Sequence, residues 1–398
     1  MVNTAISRIL QSQSDWEEIL ACAANPNINI ILSNTTEQGL VYKEENIKTD
    51  IPESFPGKLL ALLYHRYRTL GNSEISDIMV IPTELIDNNG QLLKGFIYTG
   101  AGYNDLEHDF LVWLQDHVTF CNSLVDRIVP GKPEDELVLD IENKLGYLDN
   151  HLILSEPFNL WAIEGGQKVK EILTFAQADE GIKIVEDITV YKELKLRLLN
   201  ATHILSCGNA LLEGHTMVAE AFDNPHFSHF VNLLIDEIKI SIPKDISQSY
   251  IAAFAVSVVD RFKNPYLRHP WAFIILNYTD KIKIRAIPLI AEYYRKFDQW
   301  PEGMLKGLAA YFYISMPDKV ENDIYFKNIH GTWLKLQDPF SRQLYQNVQT
   351  QGKDKAIKLL LEDFLLKDTI LLRLSGEIQN QLMEFQPEFT KQVMVPNA

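Results

Sequence analysis

The sequence contains few cysteines and no long apolar run. Cys22, Cys121 and Cys207 stand far apart and form no CxxC pair. This pattern fits a reducing compartment and excludes both a disulfide framework and a zinc site built from cysteine pairs. The longest largely apolar stretch, residues 250–259, is about half of the roughly 20 residues that a transmembrane helix needs. Because the start of the chain also resembles no secretory signal, we expect a cytoplasmic protein that does not span a membrane.

Basic residues are outnumbered by acidic ones. The 37 Lys and Arg residues stand against 53 Asp and Glu residues, which gives a formal net charge of −16. Such a charge repels polyanions on average, so nucleic acid and anionic membranes are not expected partners. Hydrophobic residues make up 46% of the 398 residues. A chain of this length and composition is expected to fold into two or three domains.

The sequence also lacks a GxGxxG motif. A nucleotide-binding α/β domain normally opens with a strand, a GxGxxG turn and a helix whose N-terminus holds the pyrophosphate. The nearest imitation, residues 100–105, has Asp105 in place of the third glycine. We interpret these residues as a plain loop.

Up to about residue 186 the chain alternates between two patterns. Helical spacing and apolar runs of strand length alternate along residues 15–23, 28–33, 57–69, 77–82, 109–120 and 124–129. Residues 137–145 and 152–163 are less regular. Alternation of helix and strand favours a parallel sheet that is covered by helices.

Beyond about residue 187 the pattern changes to long helices with few strand signals. These helices are predicted at residues 192–207, 251–263, 302–315, 353–366 and 370–385. We therefore predict an α/β domain over residues 1–186, followed by a mainly α-helical C-terminal domain over residues 187–398.

Reactive side chains are concentrated in residues 191–203, YKELKLRLLNATH. If this segment is one helix, a turn of about 100° per residue puts Lys195 at 0°, His203 near 80° and Asn200 near 140°. A lysine whose pKa is lowered by burial can exchange a proton with a hydroxyl group. Asparagine and histidine can donate hydrogen bonds to an oxygen that gains negative charge. The three residues suit carbonyl and alcohol interconversion, but their spacing also fits a surface lysine, a helix-interrupting asparagine and a core histidine.

The segment KLRLLNATH, residues 195–203, resembles the Lys-x4-Asn-x2-His signature of the polyol-specific long-chain dehydrogenases, the mannitol dehydrogenase family. Other segments agree with the family in the same order along the chain. They are SNTTEQGL (33–40), FPGKL (55–59), IPTELIDNNGQLLK (81–94), FCNSLVDRIVPG (120–131), EPFNLWAIEG (156–165) and RFKNPYLRHPW (261–271). Three of these patterns, SNTTE, PxELIDxNG and NPxxxHxW, are similar to the hexuronate branch of the family.

The resemblance implies a Rossmann-like NAD-binding domain over residues 1–186 and a helical substrate-binding and catalytic domain over residues 187–398. It implies a monomer that transfers hydride between NAD and a sugar acid without a metal, interconverting D-tagaturonate and D-altronate. The family's Gly-rich turn precedes the region that aligns with Met1, so we expect the Rossmann-like domain to be incomplete at its start. The sister reaction on fructuronate and mannonate stays open, as does a truncated chain that binds sugar acids without catalysis.

The resemblance also assigns roles to the reactive residues. Lys195 would be the general base in alcohol oxidation and the general acid in ketone reduction. Asn200 and His203 would hold the reacting oxygen. Asp126 matches a family aspartate near the substrate and the lysine, where its carboxylate could tune the lysine or relay its proton. Asp126 could instead simply act as a cap or pair with Arg127.

Four further residues are candidates for binding. Lys281 falls on a family position that contacts the substrate, and Arg268 is a second cation suited to a carboxylate. Both could equally be solvated surface charges. Thr35 and Thr36 follow a strand, where ligands of open α/β sheets collect. We expect them to meet the ribose beside the nicotinamide, or else to cap the next turn.

Overall fold

A computed structural model gives the fold of the chain. It describes residues 6–36, 39–367 and 369–394, the last nine of these by their backbone alone. Glu37 and Gln38 of the SNTTEQGL segment lie outside the described residues. No helix in the described ranges is long and apolar enough to cross a membrane.

Two compact units make up the chain. The first comprises residues 1–127 and 159–191, and the second comprises residues 128–158 and 192–398. The chain therefore passes between the units after residues 127, 158 and 191. The sequence pattern does not predict the transfer of residues 128–158 to the second unit.

Helices occur in both units. The α-helices are α1 Trp16–Ala23, α2 Phe55–Leu70, α3 Asn89–Tyr103, α4 His108–His117, α5 Asp135–Leu145, α6 Gln167–Ile172, α7 Thr189–Leu194, α8 Thr202–Leu212, α9 Val218–Ala221, α10 Pro225–Ile240, α11 Gln248–Phe262, α12 Trp271–Ile274, α13 Tyr278–Lys281, α14 Ile287–Phe297, α15 Glu302–Ser315, α16 Ser341–Gln351, α17 Lys353–Leu360 and α18 Ser375–Met394. Among the described residues, three segments form π-helix, Lys195–Ala201, Ile282–Ala286 and Leu361–Leu365.

The strands form three sheets of three strands each within the described residues. The strands are β1 Ile30–Ser33, β2 Ile78–Pro82, β3 Val118–Phe120, β4 Ser123–Asp126, β5 Leu160–Glu164, β6 Ile182–Val185, β7 Lys319–Glu321, β8 Ile324–Ile329 and β9 Thr332–Leu336. In the first unit β1, β2 and β3 are parallel, whereas β5 pairs antiparallel with β4 and parallel with β6. The β7–β8–β9 sheet of the second unit is antiparallel.

Strand β2 is covered on both of its faces. All five of its residues are buried. Ile78 and Val80 join the core cluster that includes residues of α2, α3 and α4, whereas Met79 and Ile81 join a second cluster with residues of β5 and α6. Successive strand residues point to opposite faces, so a continuous apolar run is expected for a strand that is covered twice.

Helix α8 lies at the centre of the second unit. All of its residues except Leu211 are buried. Helix α15 approaches it closely, because a Cβ atom at Gly307 would lie 2.5 Å from the Leu205 carbonyl oxygen and one at Gly208 would lie 2.8 Å from the Ala310 Cβ. Glycine is required at both points of this crossing, and the close packing fixes the orientation of the α8 side chains.

Most of the predicted elements are present, but two predictions are wrong and one sheet was not predicted. The helix predicted over residues 109–120 ends at His117, and Val118–Phe120 form β3. Residues 100–105 are not a plain loop, because α3 continues to Tyr103. The sheet at residues 319–336 was not predicted; its tight turns place Asn322–Asp323 and His330–Gly331 at positive φ, the conformation of two-residue hairpin loops.

Buried amides hold the start of α3 against the β3–β4 connection. The Asn89 side chain donates to Pro82, Glu84 and Ser123 carbonyl oxygens at 2.9–3.1 Å. The Asn122 side chain accepts the backbone N–H of Gly90 at 3.0 Å. A Cβ atom at Gly90 would lie 2.4 Å from the Cys121 carbonyl oxygen, so these backbones pack too closely for any other residue.

Replacing Gly90 with alanine is therefore expected to destabilise the first unit by about 1–3 kcal/mol, since backbone atoms must move to admit the methyl group. Gly95 in the same helix is the matched control, because a Cβ atom there would meet no other atom within 4 Å. Gly95→Ala should stabilise the helix by about 0.5–1 kcal/mol. Urea unfolding of both variants measures the difference, and equal effects would contradict this account.

Candidate active site

One continuous helical run carries Lys195, Asn200 and His203. Helix α7 leads into the π-helical segment Lys195–Ala201, which continues directly into α8. In a π-helix the hydrogen bonds join residues five apart. Lys195 and Asn200 are five residues apart, so the π-helical turn brings them closer to one face than the roughly 140° separation of a regular α-helix would. The predicted helix is present, and the π-helical turn within it was not predicted.

Asn200 and His203 each carry a buried nitrogen atom that lacks a hydrogen-bond partner among the described residues. Asn200 Nδ2 and His203 Nε2 are both buried and find no partner among the described residues. Buried polar groups in proteins are almost always hydrogen-bonded, and each unsatisfied one costs about 1–3 kcal/mol. Lys195 is partly buried and does interact with other groups. Six other buried side-chain atoms of the described residues also lack partners, among them Thr202 Oγ1 and Asn209 Nδ2 of the same helical run. The two nitrogen atoms are therefore compatible with a hydrogen-bonding ligand, and their place beside the π-helical turn distinguishes them from the others.

His203 is held among aromatic rings. Its ring stacks on Phe262 with centroids 3.8 Å apart and meets His269 at 5.3 Å and Trp271 at 6.0 Å. Burial lowers the pKa of His203 well below its ordinary value, and the nearby charges of His269, Arg261 and Lys281 lower it further. His203 is therefore a neutral imidazole, which can donate from one ring nitrogen and accept at the other.

Lys281 lies beside a second π-helical segment. It is the last residue of α13, its Nζ donates to the Ile274 carbonyl oxygen at 2.9 Å, and Ile282–Ala286 follow it as π-helix. This segment contacts the Lys195–Ala201 segment. Short π-helical turns occur frequently at functional sites. The structure thus brings the Lys281 region and the helix of Lys195 and Asn200 together within the second unit.

Arg268 has a different setting. Its side chain is exposed, and its guanidinium pairs with the exposed carboxylate of Glu134. A ligand carboxylate at this arginine would have to compete with Glu134. Among the described residues, no hydrogen bond links Arg268 to His203 or to Lys281.

A buried ion pair lies close to this cluster and was missed by sequence reasoning. Arg261 donates from Nε and Nη2 to the Glu156 carboxylate at 2.7–3.1 Å, and both residues are buried. Glu156 Oε1 also accepts the backbone N–H of Ile128 at 2.6 Å. The guanidinium carbon lies 4.1 Å from the centre of the Phe158 ring. Glu156 and Arg261 each begin a segment that resembles the family, and this resemblance was the sequence signal that could have identified them.

Thr35 and Thr36 belong to the first unit and are exposed just after β1. The buried carboxylate of Glu84 accepts the Thr35 backbone N–H and hydroxyl, each at 2.8 Å, and the Ser33 hydroxyl at 2.9 Å. Glu84 thereby ties the carboxyl end of β1 to the residues that follow β2. Glu84 lies within the segment PTEL, residues 82–85, which resembles the family, but no role was predicted for it from the sequence.

Asp126 also belongs to the first unit. It is the last residue of β4, it is 3% exposed, and its backbone pairs with Leu160 of β5. It interacts with other described groups.

The Glu156–Arg261 pair yields a prediction for stability. Removing one partner leaves a buried charge uncompensated, so Glu156→Gln and Arg261→Met should each destabilise the second unit by about 3–5 kcal/mol. The double variant should lose much less than the sum. Asp140→Asn, which breaks the exposed Lys144–Asp140 pair, is the control and should cost at most about 0.5 kcal/mol. Urea unfolding provides the double-mutant cycle, and additive losses would disprove the coupling.

His203 yields a prediction for pH. Its native pKa lies below the unfolded value of 6.5, so the unfolded chain binds a proton in this range that the native state does not. Stability is therefore full above pH 6.5 and falls as the pH drops toward the native pKa, by at most about 1.4 kcal/mol per pH unit for one proton. His203→Phe should reduce this slope, and the exposed His229→Gln should not. Unfolding curves between pH 5 and 8 measure it, and identical slopes would contradict the burial of a neutral imidazole.

Two family models match the chain. The model described as the mannitol dehydrogenase Rossmann domain matches residues 2–175, and the model described as the mannitol dehydrogenase C-terminal domain matches residues 187–369. Among similar solved structures, Pseudomonas fluorescens mannitol 2-dehydrogenase in ternary complex with NAD and D-mannitol gives a TM-score of 0.69 at 20% identity, covering 98% of this chain and 78% of that chain. A D-sorbitol dehydrogenase in substrate-free form gives 0.71 at 17% identity, covering 96% and 78%. At these identities the likeness shows the fold.

Curated relatives are more similar in sequence. Altronate oxidoreductase of Bacillus subtilis is 38% identical over 79% of this chain and 65% of its own length. The altronate oxidoreductases of Halalkalibacterium halodurans and Yersinia pestis are 38% and 34% identical, over 78% and 77% of this chain and 60% and 63% of their own lengths. The chain thus spans less than two thirds of the length of these relatives. The two matching domains, in the predicted order of a Rossmann-like α/β domain and a helical domain, show that this chain belongs to the mannitol dehydrogenase family.

Proposed function

We propose that the chain is an NAD-dependent oxidoreductase that interconverts D-tagaturonate and D-altronate by hydride transfer. The observation that carries the proposal is the helical run of Lys195, Asn200 and His203, on which a π-helical turn and two unpartnered buried nitrogen atoms coincide. The relatives named altronate oxidoreductase, at 34–38% identity, support the substrate.

Each residue of the helical run has a role in this reaction. In alcohol oxidation the Lys195 amine takes the proton of the substrate hydroxyl as general base, and in ketone reduction the ammonium returns it. Asn200 Nδ2 donates a hydrogen bond to the oxygen as it gains negative charge. His203, kept neutral by burial and by neighbouring charges, donates a second hydrogen bond without taking the proton that Lys195 must handle. For Asp126, the role of tuning Lys195 or relaying its proton rests on the family resemblance alone.

The first unit offers residues that fit a nicotinamide cofactor. Thr35 and Thr36 are exposed after β1, on the edge of a parallel sheet where ligands of α/β proteins bind. Glu84 fixes the Thr35 backbone and hydroxyl, so the loop would present its remaining groups to the ribose beside the nicotinamide. The cofactor, when bound, supplies or accepts the hydride. Residues 1–186 would thus bind NAD, and residues 187–398 would bind the sugar acid.

The substrate carboxylate needs a cation. Lys281 meets this need best, because it contributes positive charge at His203 and lies beside a π-helical segment that contacts the segment of Lys195. Arg268 would bind the carboxylate only by exchanging its present partner, Glu134. Lys281 therefore is the first choice for the carboxylate and Arg268 the second.

The proposal is tested with the purified chain, NADH and a panel of tagaturonate, fructuronate and fructose. Oxidation of NADH, followed by its absorbance, should be fastest with tagaturonate. Preference for fructuronate would favour the sister reaction instead. The Bacillus subtilis relative, assayed alongside, controls for the substrates. No turnover with any sugar acid, while the relative is active, would contradict the proposed activity and favour a chain that only binds sugar acids.

Lys195→Met tests the central role. Loss of the general acid–base group should lower kcat about 10²–10⁴-fold, while altronate binding measured by calorimetry changes little. Lys355→Met, at an exposed position of α17, is the matched control and should keep wild-type kcat. A Lys195→Met variant with wild-type kcat would remove Lys195 from the mechanism.

A further inference from the structure

His269 lies on a loop whose backbone is fixed from both sides. The His269 carbonyl oxygen accepts the N–H of Val218 at 3.0 Å, and the N–H of Trp271 donates to the Thr216 carbonyl oxygen at 3.1 Å. Met217 and Pro270 form a bridge between the same two segments. The His269 side chain is half-buried. Its position is therefore set by the fold before any ligand binds.

His269 lies near a second histidine and a lysine. Its ring centre lies 5.3 Å from that of His203 on α8. Burial lowers the pKa of His269, and the charge of Lys281, from α13, lowers it further. Arg261 of α11 also acts on His203, but its charge is paired with Glu156. Lys281 thus supplies the positive charge of this group of three residues, and the imidazoles of His203 and His269 supply N–H donors, a combination that suits an anion.

The unpartnered Nε2 of His203 belongs to this group, and the unpartnered Nδ2 of Asn200 precedes it on the same helical run, in the π-helical segment that contacts the segment after Lys281. Under the proposed function they hold the reacting oxygen of the sugar. The charged part of a sugar acid is its carboxylate, and a histidine near a lysine provides two donors for it.

We propose that His269 is a substrate-binding residue that, together with Lys281, recognises the carboxylate of the sugar acid. This inference rests on the proposed function and adds a specificity-determining residue to it. A bound carboxylate favours the protonated imidazole, so binding of a sugar acid takes up a proton at His269. An uncharged sugar alcohol offers no such charge and binds without that uptake.

Calorimetry on the full chain with NAD tests the inference near pH 6.5, the ordinary pKa of histidine. The ligands are D-altronate and D-altritol, in which a hydroxymethyl group replaces the carboxylate. His269→Asn should weaken altronate binding about tenfold or more and leave altritol binding unchanged. Titrations in buffers of different ionisation enthalpy should show proton uptake with altronate for the wild type and none for the variant. His229→Asn, at an exposed position of α10, should behave as wild type.

The outcomes separate this inference from the proposed function. Equal weakening of altronate and altritol binding would show that His269 only supports the fold, and unchanged altronate binding would show that it plays no part. Either result would overturn the inference while leaving the activity in place. A wild-type chain that binds neither ligand would overturn the proposed function and this inference together. His269→Gln and a thermal unfolding curve for each variant exclude misfolding as the cause of a lost affinity.

Discussion

The buried pair of Glu156 and Arg261 is the interaction on which the second unit most depends. It joins residues 105 positions apart and fastens the segment 128–158, through the Glu156 contact with Ile128, to helix α11. The residue after Arg261 is Phe262, on which His203 stacks. Burial lowers the pKa of His203, and the charges of His269 and of the same arginine lower it further. One ion pair therefore anchors a chain segment, helps to place the ring that His203 stacks on, and contributes to the lowered pKa of His203. Burying both charges costs desolvation energy, which the good geometry of the pair must offset.

The π-helical turn places the reactive side chains at the expense of local stability. It draws Lys195 and Asn200 toward one face, and α8 then carries His203 into a ring-lined setting. Asn200 Nδ2 and His203 Nε2 are left without partners among the described residues, although neighbouring helices pack closely enough to require glycine. A fold optimised for stability alone would satisfy these atoms. Departures from local rules of this kind are expected where a protein binds its ligand.

The features that could be predicted from the sequence are those set by a short stretch of residues, such as single strands, single helices and motifs. Buried strands such as Ile78–Pro82 and helices such as Phe55–Leu70 have clear apolar patterns, and the ordered motifs identified the family. Helix α3 was missed because it contains four glycines, which weaken helix propensity. The π-helical turn was missed because residue spacing was interpreted with 3.6 residues per turn. Glu156 and Arg261 were quoted but not paired, since no local pattern relates residues so far apart.

The site also resolves an apparent conflict between the charge of the chain and that of its proposed substrate. A net charge of −16 should repel a sugar acid at long range. That repulsion is screened beyond about 8 Å at physiological salt, whereas the ammonium of the partly buried Lys281 and the N–H donors of His203 and His269 would act on a bound ligand at close range. Two carboxylates of the second unit are not available to oppose an anion, because Glu156 is held by Arg261 and Glu134 by Arg268. Under the proposed function, the local arrangement of charge therefore governs substrate binding more than the net charge of the chain does.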